Sequence, residues 1–156
     1  MTNFYQFRQN NSGGNFQVDH QVCHQIIIEA YSVEQAIAEA ESLGCYWNGA
    51  SNGIDCSCCG DRWSRLADVV DLDHINKVGY SAEVWCVDND DYKSHYEKRY
   101  GKYQIHTNPE ISSYGSYRGT IKFNDIEQYA QFLATEYRST NPDVRIFYLD
   151  GTVREF

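Results

Sequence analysis

The segment Asp55-Cys56-Ser57-Cys58-Cys59-Gly60 constrains this chain more than any other, because it sets two cysteines at Cys-x-x-Cys spacing directly before a glycine. At that spacing two thiolates point at one tetrahedral ion from a tight turn, and Gly60 supplies the backbone freedom required after the second ligand. A loop pinned by a structural zinc ion is the expectation. Zinc takes four ligands, so the chain must supply two more. Cys45 is the expected third: it follows a capped helix and stands 11 residues before Cys56, across a loop containing Gly49 and Gly53. The fourth is open between His24, Cys58 and Cys23. Adjacent Cys58 and Cys59 both ligate only if the backbone turns sharply between them, so His24 is preferred and the expected set is Cys45, Cys56, Cys59 and His24. Two other readings of the cluster compete. A redox dithiol needs a helix N-terminus or a cation to lower its pKa, and here acids surround it with Arg62 as the nearby opposing charge. Buried, unligated thiols that simply pack are the other.

At 156 residues, with 42% hydrophobic and 15% aromatic residues, the chain is long enough for one cored domain, expected over 1–156, and is not of disordered composition. Thirteen tyrosines suit half-buried sheet faces. The opening Met-Thr-Asn-Phe-Tyr-Gln-Phe-Arg lacks a basic n-region followed by an apolar run, and no 18 apolar residues run together. A cytoplasmic protein is expected, in which six cysteines serve as thiols or metal ligands before disulfides.

Phe4–Arg8 alternates as a strand does and breaks at Asn10-Asn11-Ser12-Gly13-Gly14, a turn cluster. Val22–Glu29 is a second strand, placing Val22, His24, Ile26 and Ile28 on one face. Ser32 with Gln35 forms a capping box, and Val33, Ala36, Ile37, Ala40 and Leu43 recur at helical spacing before Gly44. Further on come a strand over Ala82–Val87, a short helix from Asp90-Asp91 to Tyr100, and a strand over Gly119–Phe123. Asn124 with Glu127 caps a second amphipathic helix carrying Ile126, Tyr129, Ala130, Leu133 and Tyr137. Val144–Leu149, the Asp150-Gly151 turn and Thr152–Phe156 complete a hairpin. The expected class is α+β: a mainly antiparallel sheet with two to three helices packed on it and a zinc-knuckle loop.

The net charge of −9 argues against nucleic-acid binding, which draws on Lys and Arg to neutralise phosphates. From Asp55 to Asp91 nine acids face Arg62, Arg65 and Lys77. Asp68, Asp71, Asp73, Asp88, Asp90 and Asp91 are the candidate partner-binding residues, able to attract the basic groove of a protein that normally holds nucleic acid. The competing reading is a solvated face that keeps the protein soluble. No nucleophile context or catalytic constellation stands out, and no enzymatic activity is expected.

The opening Phe4-Tyr5-Gln6-Phe7-Arg8-Gln9-Asn10-Asn11-Ser12-Gly13-Gly14, together with Gly44-Cys45-Tyr46-Trp47-Asn48-Gly49 and Gly53–Trp63, resembles a family of small uncharacterised proteins of bacteriophages and prophages. In that family the cluster is commonly Asp-Cys-Pro-Cys-Cys-Gly; Ser57 here replaces the proline, which loosens the turn but removes no ligand. The resemblance covers about the first 65 residues and implies a phage origin. Phages carry many small acidic proteins that block host defence, zinc-containing Cas9 inhibitors among the type II-A anti-CRISPRs included. The implied function is an inhibitor that binds Cas9, or another host defence nuclease, and interferes with guide or target DNA loading. The alternative is a phage accessory enzyme or small-ligand binder whose pocket, beside the metal, is lined by His24, Trp47 and Trp63.

Overall fold

The computed structural model describes residues 1–85, 104–105, 110–111, 116–136 and 143–156. They form an α+β fold, mostly antiparallel, with three helices among the described residues and a compact cysteine cluster. The chain divides into two compact units, one built from 1–70 and 136–156 and the other from 71–135.

The first unit is a five-stranded sheet in the order β3-β1-β2-β8-β9, formed by β1 (Asn3–Arg8), β2 (Gln25–Ala30), β3 (Asp68–Val69), β8 (Val144–Phe147) and β9 (Val153–Glu155). Its pairings are antiparallel except β2 with β8, which run parallel from Gln25 opposite Val144 to Ile28 opposite Phe147. The unbroken Ile26-Ile27-Ile28 suits this central position, because a strand flanked on both edges and covered on both faces has no side left for water. Ile26 and Ile28 face the core that holds Tyr5, Phe7, Ala36 and Ala40; Ile27, Val144 and Ile146 are equally buried on the opposite face. On that second face Gln6 Nε2 donates to Gln25 Oε1 at 2.5 Å, a buried amide pair that satisfies two groups apolar neighbours would strand.

Helix α1 (Val33–Leu43) starts and stops as its sequence dictates. Ser32 Oγ accepts the Gln35 N–H at 3.2 Å, and Gln35 Oε1 accepts the Tyr31 N–H at 2.9 Å. Gly44 ends it at φ +113°, a left-handed conformation that a side chain disfavours. Ala36 and Ala40 are fully buried, and these small residues let the helix axis approach β2 closely. The Cys45 N–H then returns to the Ala40 carbonyl at 2.9 Å, closing a Schellman turn. The hairpin at the other end of the chain matches its expectation: Asp150 Oδ1 accepts the Thr152 N–H at 2.8 Å, Gly151 takes φ +89°, and β8 pairs β9.

In the second unit β7 (Ser116–Lys122) is the central strand, pairing antiparallel with β4 (Tyr80–Trp85), β5 (Gln104–Ile105) and β6 (Glu110–Ile111). Helix α3 (Ile126–Glu136) buries Ile126, Tyr129, Ala130, Phe132 and Leu133. Its cap is one residue later than the sequence pattern suggests: Asp125 Oδ1 accepts the Gln128 N–H at 2.8 Å, and Gln128 Oε1 accepts the Asn124 N–H at 2.9 Å. Tyr80, Phe123, Tyr129 and Phe132 pack in edge-on and tilted pairs, with ring centroids 4.9–6.5 Å apart.

Helix α2 (Leu72–Val78) is absent from the sequence expectations. Asp71 caps it by accepting the His74 N–H at 3.1 Å, so part of the acidic run serves helix initiation. Asn76 fastens it to the end of β7, donating to the Phe123 carbonyl at 2.6 Å and accepting the Phe123 N–H at 2.7 Å. The expected helix over Asp90–Tyr100 and residues Cys86 and Val87 of the expected Ala82–Val87 strand lie outside the described residues, as does Tyr137.

Candidate metal centre

Cys56, Cys58 and Cys59 bring their sulfurs to within 4.8 Å of one another, with 2.9 Å between Cys56 and Cys58 and 3.9 Å between Cys58 and Cys59. Three sulfurs around a tetrahedral ion bonded at 2.3 Å stand about 3.8 Å apart, so these separations bracket a metal's requirement. The sharp turn that adjacent ligands demand is present: the Gly60 N–H reaches back to the Cys56 carbonyl at 3.1 Å, and Gly60 takes φ +89°. Cys58 and Cys59 are exposed and Cys56 half-buried. Hydrogen bonds from Cys58 and then Cys59 draw the Cys56 thiol down to about 6, and the same sharing pushes Cys58 up to about 11. A thiolate at Cys56 is thus favoured at neutral pH, as a soft metal requires. The cluster could coordinate a metal ion.

The other expected ligands go elsewhere. Cys45 is the residue just past the α1 cap, and the Schellman turn that carries its N–H back to Ala40 seats it in the core beside Val22 and Cys23. Burial pushes its thiol up to about 12, and that of Cys23 to about 11. Cys23 Sγ donates to the Gln25 carbonyl at 3.1 Å. Both behave as small hydrophobes. His24 precedes β2, which begins at Gln25; its Nδ1 accepts the Asp143 N–H at 3.2 Å and its ring lies 4.4 Å from that of Phe16. None of the three joins the sulfur group among the described residues, and Cys58, the ligand set aside for its adjacency, does.

The loop is held by residues whose roles the sequence did not disclose. Ser12, buried in the short 3-10 turn Ser12–Gly14 after β1, accepts the Cys56 N–H at 2.9 Å and donates to the Gly60 carbonyl at 3.0 Å. Its hydroxyl therefore bridges both ends of the cysteine turn. Asn10 Nδ2 donates to the Cys59 carbonyl at 2.9 Å and the Asp61 carbonyl at 3.3 Å, while its N–H meets the Arg62 carbonyl at 2.8 Å. Arg62 then reaches across: Nη1 donates to the Asn15 carbonyl and Gln9 Oε1, Nη2 to the Ser12 carbonyl and Asn15 Oδ1, and Nε to the Tyr46 hydroxyl.

Asp55 completes this support. Its side chain is 1% exposed; Oδ2 accepts the Arg62 N–H at 2.7 Å, Oδ1 accepts the Tyr46 hydroxyl at 2.6 Å, and the Arg62 Nε lies 3.6 Å from Oδ1. Burial, then this bond, pushes the Tyr46 phenol up. A Cβ on Gly49 would collide with the Asp55 carboxylate, so only glycine fits where the 49–55 loop closes through Ile54 and Asp55 N–H bonds to the Gly49 carbonyl. Adjacent cysteines preceding a glycine were the available signal for Cys58; the recurrence of Asn, Ser, Asp and Arg around them was the signal for the clamp.

The residues named for a pocket are packed. Trp63 is fully enclosed in the first unit's core, with its indole N–H unpartnered; Trp47 is half-buried, 5.9 Å from the Phe7 ring, with Nε1 bonded to Glu41. Of the six acids proposed to meet a partner, Asp68, Asp71 and Asp73 are exposed, and Asp88, Asp90 and Asp91 lie outside the described residues. Among the described residues no helix is long and apolar enough to cross a membrane.

No curated protein and no solved structure matches the chain. A family model does, and it runs from residue 2 to residue 156, taking in the cysteine turn, its clamp and both units. The chain therefore belongs to the family described as a domain of unknown function, DUF7296.

Proposed function

We propose that Cys56, Cys58 and Cys59 bind one zinc ion, and that this ion staples the 49–62 loop to the turn after β1 in a protein that works by binding a partner. The observation that carries the reading is the convergence of three sulfurs on a turn already fixed at both ends by the Ser12 hydroxyl. A three-thiolate donor set is soft and suits zinc over magnesium or calcium. Zinc that binds the folded state raises stability with its concentration. Thermal denaturation of chelator-treated protein with zinc added back tests this. The melting temperature rises with zinc in the native protein and not in Cys58→Ser; an unchanged melting temperature in both ends the staple reading.

For the partner, charge supports a basic protein surface. The chain carries −9, and Asp68 and Asp73 stand exposed on either side of Asp71. We infer an inhibitor of a host defence nuclease, with the nucleic-acid channel of Cas9 as the surface to try first. Co-purification with Cas9 and a DNA-cleavage assay decide it: capture with reduced cleavage supports the inference, and no capture with undiminished cleavage removes it.

A further inference from the structure

Cys56 and Cys58 hold their sulfurs 2.9 Å apart, and Cys59 stands 3.9 Å from Cys58. A disulfide bond spans about 2.05 Å, so the first pair has less than about 1 Å to close. The backbone of the turn is already ordered for that closure. Ser12 Oγ accepts the Cys56 N–H and donates to the Gly60 carbonyl, the Gly60 N–H returns to the Cys56 carbonyl, and Asn10 Nδ2 donates to the Cys59 carbonyl. Holding the chain in this way gives each sulfur a high effective concentration at the other. Exposure sorts the cysteines further. Cys58 and Cys59 are exposed and Cys56 half-buried, whereas Cys23 and Cys45 are core thiols, so a dissolved oxidant meets the turn before it meets the core. Spacing then selects the pair. A disulfide usually sets its two Cα atoms roughly 4.4–6.8 Å apart, and neighbours across a trans peptide stand about 3.8 Å apart. Adjacent Cys58 and Cys59 fall short of that range; Cys56 and Cys58, with Ser57 between them, escape the restriction.

We propose that Cys56 and Cys58 form a reversible disulfide on meeting a small-molecule disulfide such as oxidised glutathione, which makes the cysteine turn an oxidant-responsive site. The inference goes beyond the zinc reading and does not require it. One thiolate of the pair attacks a sulfur of glutathione disulfide, whose S–S bond breaks. The glutathione thiolate that leaves takes up the proton released by the attacking thiol. The second protein thiolate then attacks the protein sulfur of the mixed disulfide; the Cys56–Cys58 bond forms, and the second glutathione leaves and is protonated in the same way. Two protein thiols are oxidised by two electrons, and one glutathione disulfide is reduced to two thiols. An exposed disulfide of this kind is readily reduced, so excess reduced glutathione runs both exchanges backwards. The closed bond also withdraws two of the three sulfurs that converge on the turn, and the oxidised chain no longer offers a soft metal three thiolates.

The test uses the full chain, reduced and treated with a chelator, then equilibrated with glutathione disulfide, quenched in acid, unfolded, alkylated and mapped by mass spectrometry. Four of the six cysteines are expected to be alkylated, with the missing pair joined as Cys56–Cys58 and full alkylation restored by excess reduced glutathione. Cys59→Ser is expected to keep the bond. Six alkylated cysteines overturn the proposal, as does glutathione retained on the turn as a stable mixed disulfide. A bond that joins Cys59 or Cys86 instead, or one that is lost in Cys59→Ser, overturns it equally. Zinc titrated into the same reduced chain reads the staple separately. A chain that forms the bond and binds no zinc keeps the disulfide and ends the staple; one that binds zinc and forms no bond does the reverse.

Discussion

Ser12 connects a turn at residue 12 to the cysteine turn more than forty residues later, through a single hydroxyl that both donates and accepts. Ser12→Ala leaves the Cys56 N–H and the Gly60 carbonyl without that partner. It is expected to destabilise the protein by about 1–3 kcal/mol in chemical denaturation and to weaken metal binding as well. Gly49→Ala is expected to cost about 1–3 kcal/mol by forcing a methyl group against Asp55; wild-type stability in that variant would show that the Asp55 carboxylate has room to move. A metal held by these sulfurs would compete with protons for them, so its occupancy would fall as pH falls. Cys56, held to about 6, carries its charge at neutral pH and loses it below that value. Release followed with a chromophoric metal indicator is expected to advance as pH falls, and release independent of pH would exclude thiolate ligation.

At the scale of elements, Asn76 gives the sharpest prediction, since one amide satisfies both backbone groups of Phe123. Asn76→Ala is expected to lower stability by about 1–3 kcal/mol for each group that loses its partner, with hydrogen exchange rising at Phe123. What was legible in the sequence at this scale had a local cause. Ser32, Gln35 and Gly44 fix both ends of α1 through bonds spanning three to five residues, and Asp150-Gly151 fixes the terminal hairpin in the same way. Helix α2 escaped because seven residues carry little periodicity and none of them is buried; its cap, Asp71, reads as one acid among many. The parallel pairing of β2 with β8 joins residues more than a hundred positions apart and left no local trace. The cysteine turn divides similarly. Cys56, Cys59 and Gly60 announce themselves by spacing, whereas Cys45 was misplaced because position after a helix cap says where a chain emerges and not which way its side chain turns. In the fold that side chain is buried in the first unit's core.

Across the whole molecule, the acidic excess separates into charges with structural duties and charges without. Asp55 is buried against Arg62, Asp71 caps α2, and Asp61 receives the Ala50 N–H. Asp68 and Asp73 are exposed and take no such side-chain bond among the described residues. Reversing them as Asp68→Lys and Asp73→Lys is expected to slow association with a basic partner at low salt, with the difference fading as salt rises. Equal association rates at all salt concentrations would confine the acids to solubility. The ligand set is the claim on which most else depends, and the metal content of purified protein by mass spectrometry, compared across wild type, Cys58→Ser and Cys45→Ala, tests it most directly. One zinc ion per chain is expected in the wild type and in Cys45→Ala, and none in Cys58→Ser; zinc that survives Cys58→Ser but is lost in Cys45→Ala would contradict the Cys56, Cys58 and Cys59 site.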